Sequence, residues 1–208
     1  MRNKKRESVA KDGFLFLGNQ LALDFLNTRP EQNGRARELL SDFSALLRWF
    51  QAARLLNAHE RMRLQQRWGK SRRAAKTLDA IRGIRERLRK AVFAWERGRP
   101  VPQALLKELN RLMAAHPMLA RLEAGQHWRV GLWFKAQEPE DLIAPLADSA
   151  AKLFAEVDRK RVRKCESCVG HFHDTSKKGS RRWCSMKLCG NRVKVAAYAA
   201  RKRDRAIG

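Results

Sequence analysis

A chain of 208 residues has the length of one ordinary domain, or one domain with a small appendage, and 44% apolar residues give it material for a core. Its charge is the anomaly, because 46 Lys and Arg against 21 Asp and Glu leave +25, a balance suited to a polyanion such as nucleic acid rather than to a small acidic substrate. No apolar run approaches the ~18 residues of a membrane-crossing helix, and Met1-Arg2-Asn3-Lys4-Lys5-Arg6 leads into no secretory apolar core, so the expectation is a cytoplasmic protein without a membrane partner.

Phe14–Leu17 reads as a short strand ended by Gly18-Asn19. Leu21, Ala22, Phe25 and Leu26 then recur at helical spacing, with Asn19 as the expected N-cap, although Gly-Asn is also a hairpin turn. Ser41-Asp42 opens an amphipathic helix through Phe43, Leu46, Leu47 and Phe50, expected to reach Leu56. Residues 61–97 are strongly basic, with 13 cations against Asp79, Glu86 and Glu96. Within them Leu78, Ile81, Ile84, Leu88, Val92 and Trp95 form an apolar stripe behind Thr77 as cap, with Arg82, Arg85 and Arg89 expected to point away. Pro102 starts a further helix through Leu105, Leu109 and Leu112. The period then changes to two: Trp128, Val130, Leu132 and Phe134 alternate, and Ala124-Gly125-Gln126 turns a Met118–Glu123 strand back onto them. Leu142–Val157 returns to helical spacing. The six tryptophans, Trp128 among them, read as core.

A charge step at Asp158-Arg159-Lys160-Arg161 divides the chain into 1–157 and 158–208, and the second part carries 16 cations against 4 anions. Its cysteines stand as Cys165-x2-Cys168 and Cys184-x4-Cys189. Four thiolates at these spacings close a tetrahedral structural zinc site in a strand, hairpin and helix unit, the treble clef; disulfides or free thiols are the alternatives. Lys194, Tyr198, Arg201 and Arg205 share one face of the following helix, and Val193, Ala196, Ala197 and Ala200 are expected to pack on the finger. Lys177, Lys178, Arg181 and Arg182 stand in the loop before Cys184, and Asn191 and Arg192 open the helix. Such a set suits phosphate contact and, in a major groove, base edges. The fold class expected is α+β: a helix-rich N-terminal domain with a small β-sheet, followed by a treble-clef zinc finger.

Ser180-Arg181-Arg182-Trp183-Cys184-Ser185-Met186, followed by Cys189-Gly190-Asn191-Arg192-Val193-Lys194 and Tyr198, closely resembles the CGNR zinc finger. Leu21-Ala22-Leu23-Asp24-Phe25-Leu26-Asn27-Thr28 resembles the signature near the start of the ABATE domain, which precedes this finger in a family of bacterial stress-related transcription regulators. The resemblance implies an α+β sensing domain and a DNA-contacting finger that holds one structural zinc through Cys165, Cys168, Cys184 and Cys189. It departs at His171-Phe172-His173-Asp174, where a more apolar stretch is expected. Asp24, Asn27 and Thr28, polar residues in an apolar segment, either tie the helix end or line a pocket for a small-molecule effector.

The function expected is therefore a zinc-dependent, non-enzymatic DNA-binding regulator, with a homodimer compatible with the short site one finger reads. An RNA- or ribosome-binding finger and a protein-interaction adaptor are the alternatives. A nuclease built on His171, His173 and Asp174 lacks a histidine from the following helix, and His171 and His173 read instead as side chains of a solvated strand. The basic 61–97 segment is open to three readings: a second nucleic-acid surface, a dimer face or a solvated helix.

Overall fold

The computed structural model describes residues 9–32, 35–125, 127–168 and 170–207. Strands β1 (Val9–Lys11) and β2 (Phe14–Phe16) form an antiparallel hairpin turned by Asp12 and Gly13, both at positive φ. This is the two-residue Asp-Gly turn that matches strand twist. Phe14 and Phe16 face the core while Leu15 faces out.

Helix α1 (Leu21–Leu26) follows as expected, but Asn19 does not cap it. Asn19 sits in the left-handed region at φ 55, and the Gln20 side chain accepts from Ala22 N at 2.6 Å instead. All of α1 after Leu21 is buried, and Ser149 fastens its start: Ala22 N donates to Ser149 Oγ at 2.9 Å, and Gln20 Nε2 to the Ser149 carbonyl at 2.8 Å. The short pair β3 (Glu31–Gln32) and β4 (Arg35–Ala36) leads to α2 (Phe43–Ala52), capped by Asp42, which accepts from Ala45 N at 2.7 Å. α2 stops at Ala52 rather than Leu56, because Arg54 turns into the left-handed region at φ 63.

The basic segment forms α3 (Ala58–Trp68), opened by an Asn57–Glu60 capping box, and α4 (Arg72–Glu96). Ser71, not Thr77, caps α4, and Thr77 lies inside it with its hydroxyl on the Arg73 carbonyl at 3.0 Å. The apolar stripe is buried as expected, and the three arginines expected to project away from it reach neighbouring segments rather than open solvent. Arg85 is 1% exposed and donates to Glu38, Glu86 and Thr28. Arg82 reaches the Leu40 and Ser41 carbonyls, and Arg89 those of Leu26 and Arg29. Helical spacing places these residues beside the stripe, and long guanidinium stems then fold back to satisfy carbonyls of the segment packed there.

Helix α5 (Gln103–Ala115), the antiparallel hairpin β5 (Leu119–Glu123) and β6 (Arg129–Trp133), a 3-10 turn and α6 (Ile143–Glu156) complete the N-terminal region. Trp49, fully buried, lies against Phe16, Phe25 and Phe50 with ring centres 5.4–6.0 Å apart. Trp128 is no core residue: it is 71% exposed on the hairpin. Alternation shows which residues share a face and not whether anything covers it. After a 3-10 turn, β7 (Val162–Lys164) pairs with β8 (His171–His173), and a π turn (Met186–Gly190) runs directly into α7 (Asn191–Ile207). The result is a helix-rich α+β chain with two-stranded sheets. No described helix is long and apolar enough to cross a membrane.

Candidate metal centre and nucleic-acid interface

The sequence brings its four cysteines to one point by two turns. Cys165 N donates to the Gly170 carbonyl at 2.8 Å, which folds the Cys165–Cys168 stretch into a knuckle. Ser185 shapes the second turn: Cys189 N and Gly190 N donate to its carbonyl at 2.9 and 3.0 Å, and its hydroxyl accepts from Leu188 N at 3.3 Å. Asn191 therefore does not cap the helix; it is already helical, because the π turn continues without a break. Gly190 packs closely there: a Cβ would meet Met186 Sδ at 2.4 Å and the Trp183 ring at 3.3 Å, so the Met186 side chain would have to move aside.

The sulfurs of Cys165, Cys168, Cys184 and Cys189 lie within 4.8 Å of one another, and Cys184 Sγ stands 3.6 Å from both Cys168 Sγ and Cys189 Sγ. Tetrahedral zinc with ~2.3 Å bonds sets sulfurs roughly 3.8 Å apart, so the donor set fits the ion. The thiols are free, and three are buried while Cys168 is partly open. Electrostatics points the same way. A hydrogen bond from Cys184 holds the Cys168 thiol at a pKa of about 5, while burial and the Cys168 charge push Cys189 up to about 11, and the same hydrogen bond to Cys168, with burial behind it, raises Cys184. One thiolate thus forms readily and opposes its neighbours, and a divalent cation at the centre removes that opposition. With four protein donors the ion holds the fold and keeps no open position.

The finger's apolar core consists of these cysteines, Phe172 and Leu17, a residue delivered by the N-terminal region. A dense seam joins the two parts. Asn27 Nδ2 donates to the His171 carbonyl at 2.9 Å, and His171 N donates to Asn27 Oδ1 at 3.0 Å. Beside it Asn19 Nδ2 donates to the His173 carbonyl at 3.0 Å, and His173 N to the Gly18 carbonyl at 2.8 Å. The His171 ring stacks on Phe93 at 4.4 Å and meets Glu96 at 3.1 Å. Instead of lying on a solvated strand, His171 is 3% exposed, so the stretch that departs from the apolar expectation is buried all the same. Half-buried His173 has its pKa lowered by burial and by the Arg161 charge.

Asp24 and Thr28 are also engaged: Asp24 Oδ1 accepts from Gly18 N at 2.7 Å, and the Thr28 hydroxyl donates to the Phe25 carbonyl at 2.7 Å while accepting from Arg85. A cleft of about 230 Å³ edged by His116, Leu119, Phe134, Lys135 and Asp141 includes none of Asp24, Asn27 and Thr28. It is smaller than the ~300–1,000 Å³ of ordinary ligand sites.

Asp174, fully buried, organises the basic loop by accepting from Ser176 N at 2.9 Å and Arg181 N at 2.8 Å. Burial opposes its charge, yet those two amides hold its pKa below the ordinary value. Arg161 and Arg163 donate to the Ser176 and Gly179 carbonyls from beneath. Of the loop cations, Lys177 and Lys178 are exposed. Arg182 is bonded to Glu166, and Arg181 lies over Phe172 and donates to the Cys184 carbonyl. On α7, Asn191, Arg192, Lys194, Tyr198 and Arg201 are all exposed, and the Arg205 side chain lies outside the described residues. The expectation that Val193, Ala196 and Ala197 pack on the finger does not hold, for all three are exposed and only Ala200 is partly covered. The sequence reading missed Leu17, Asn19, Phe93 and Glu96 as finger contacts, and no local pattern marks them, because each acts on a partner far along the chain.

Residues 161–202 match the CGNR zinc finger. Residues 19–157 match ABATE, described as "Putative stress-induced transcription regulator". No curated protein matches the chain. The four-cysteine centre and the finger built around it thus stand beside an α+β region that completes its core: the chain is a member of the ABATE family carrying a CGNR zinc finger.

Proposed function

We propose that the protein is a zinc-stabilised DNA-binding transcription regulator of the bacterial cytoplasm that acts by binding and catalyses nothing. The observation that supports this most is α7. Its 17 residues include Arg192, Lys194, Arg201, Lys202 and Arg203, and every described side chain from Asn191 to Arg203 is exposed except Ala200. A helix rooted in a zinc centre and left uncovered by the described residues is a presented surface, and its charge selects a polyanion. In this reading Arg192, Lys194, Tyr198 and Arg201 line the duplex, with Lys177 and Lys178 on an adjoining phosphate run. Residues 19–157 modulate the contact through the Asn27–His171 seam, which is the route open to a small-molecule effector.

The test is a titration of the zinc-loaded protein with duplex DNA and with structured RNA across a salt series. Duplex DNA is expected to bind more tightly, with a logarithmic salt slope of about −0.9 per phosphate contacted. Replacing Lys194 and Arg201 by Ala should flatten that slope by roughly one contact each. Preference for RNA would favour a ribosomal or RNA-binding role, and binding to neither would favour an adaptor.

A further inference from the structure

The β5–β6 hairpin carries an apolar face that no described part of the chain covers. Its register sets Ala120 opposite Leu132 and Leu122 opposite Val130, so these four share one face, and Trp128 extends that face past the strand end. Exposure is 71% for Trp128, 62% for Leu122, 60% for Val130 and 47% for Leu132. The face holds no charged residue. On the opposite face Glu123 pairs with Arg129 at 2.9 Å and with Arg121 at 3.6 Å, so the hairpin's charges lie away from the apolar face.

We infer that this face is a homodimer interface, on which a second copy of the chain lays the same face of its own hairpin. Area is the first support. The four large side chains leave on the order of 400 Å² of apolar surface in water, comparable to the largest patches found on whole monomers. Doubling it by two-fold pairing removes about 800 Å² of apolar surface from water, and a modest rim brings the total to the ~1,000 Å² a specific interface requires. Self-complementarity is the second. An antiparallel ribbon presents an identical face on each copy, so a two-fold axis mates apolar with apolar and closes at two. A lone two-stranded ribbon is marginal in water, and stacking two such faces gives each the covering layer it lacks. Charge is the third: a polyanion drawn to a +25 chain finds no cation on this face, so nucleic acid is not the occupant. The interface does not depend on the DNA reading, although a dimer of DNA-binding chains would present two α7 helices to one site.

The experiment is sedimentation velocity of the full-length, zinc-loaded protein over a concentration series at low and high salt, for the wild type and for Leu122→Glu with Val130→Lys. Both positions are exposed, so the variant keeps its zinc and its circular dichroism. The expected result is a wild-type dimer that persists at high salt, where electrostatic association fails, and a variant that sediments as a monomer. A wild-type monomer throughout would overturn the interface and leave the face to a different protein. A dimer unchanged in the variant, or open-ended growth along the ribbon edges, would equally overturn it. A variant that lost zinc would be replaced by Leu132→Gln, for which the same monomer is expected and an intact dimer counts against the proposal.

Discussion

The side chain of Asn27 makes both backbone hydrogen bonds of His171, at 2.9 and 3.0 Å, as a neighbouring strand would. A single carboxamide at the end of α1 thus continues the finger's hairpin into the N-terminal region. Only Asn reproduces this with one donor and one acceptor at that reach; Asp keeps the acceptor alone.

Asn27→Leu should therefore leave a backbone N–H and a carbonyl without partners and lower stability by about 2–4 kcal/mol. Zinc transfer to a chromogenic chelator should quicken in parallel, because Gly170, adjoining Asn27 and Cys168 Sγ, belongs to the metal knuckle. Asn27→Asp should fall between the two. An unchanged transfer rate in the leucine variant would show that the knuckle holds its shape unaided.

Cys184→Ser should abolish zinc binding, measured as metal per chain by elemental analysis. It should also lower the thermal midpoint of the N-terminal region, since Leu17 and Asn27 lose the finger they pack against. Tryptophan fluorescence reports on that region in a Trp183→Phe background, where the remaining five tryptophans all precede residue 158. A midpoint equal to that of the wild type would mean that the seam contributes nothing to it.

Glu96 and His171 predict a pH effect with a definite sign. Burial tends to raise the Glu96 carboxyl, but the bonded imidazole of His171 and its charge outweigh burial and hold the pKa below the ordinary 4.5. A depressed acid contributes stability at higher pH and loses it as pH falls through the folded pKa. The stability difference between wild type and Glu96→Gln should thus be present above the ordinary carboxyl pKa of 4.5 and be lost as the pH falls through the lowered folded pKa. Denaturant melts at several pH values measure it.

Arg85 sits 1% exposed against Glu38, with Glu86 and the Thr28 hydroxyl completing its donors. Burial raises and the Arg85 contacts lower the Glu38 carboxyl, and the net result is a depressed pKa. Arg85→Met should cost about 3 kcal/mol, near the low end for a broken buried pair because Glu38 keeps some solvent. Replacing Arg85 and Glu38 together by apolar residues should recover part of that loss.

These residues also mark what the sequence discloses and what it withholds. The zinc centre is legible because its geometry is local: two short cysteine spacings that each close a turn. The helices of the main core are legible through their apolar stripes, but their caps less so: Ser41-Asp42 offers two adjacent candidates at the start of α2, and Asp42 takes the role. At Asn19 and Gln20, and at Ser71 and Thr77, two polar residues compete, and tertiary partners decide. Asn19 is drawn to His173, and Gln20 is left to cap α1 while it reaches Ser149. Arg85 reads as a surface charge because its carboxylate partner lies 47 positions away. Trp128 reads as core because aromatic alternation specifies a face without specifying what covers it.

The seam sets an order of events as well as a set of contacts. Asn19 finds His173 across 154 positions, about three-quarters of the 208 residues, so a growing chain cannot close it until residue 173 has emerged. Until then α1 lacks one of its walls, and Leu17 has no finger core to enter. Once zinc is bound the segment around Asn19 and the finger hairpin are laced together, and the earlier-made of the two waits for the later to finish it. A finger excised for transfer to another protein would leave behind Leu17, Asn27 and Glu96, and would have to find substitutes for all three.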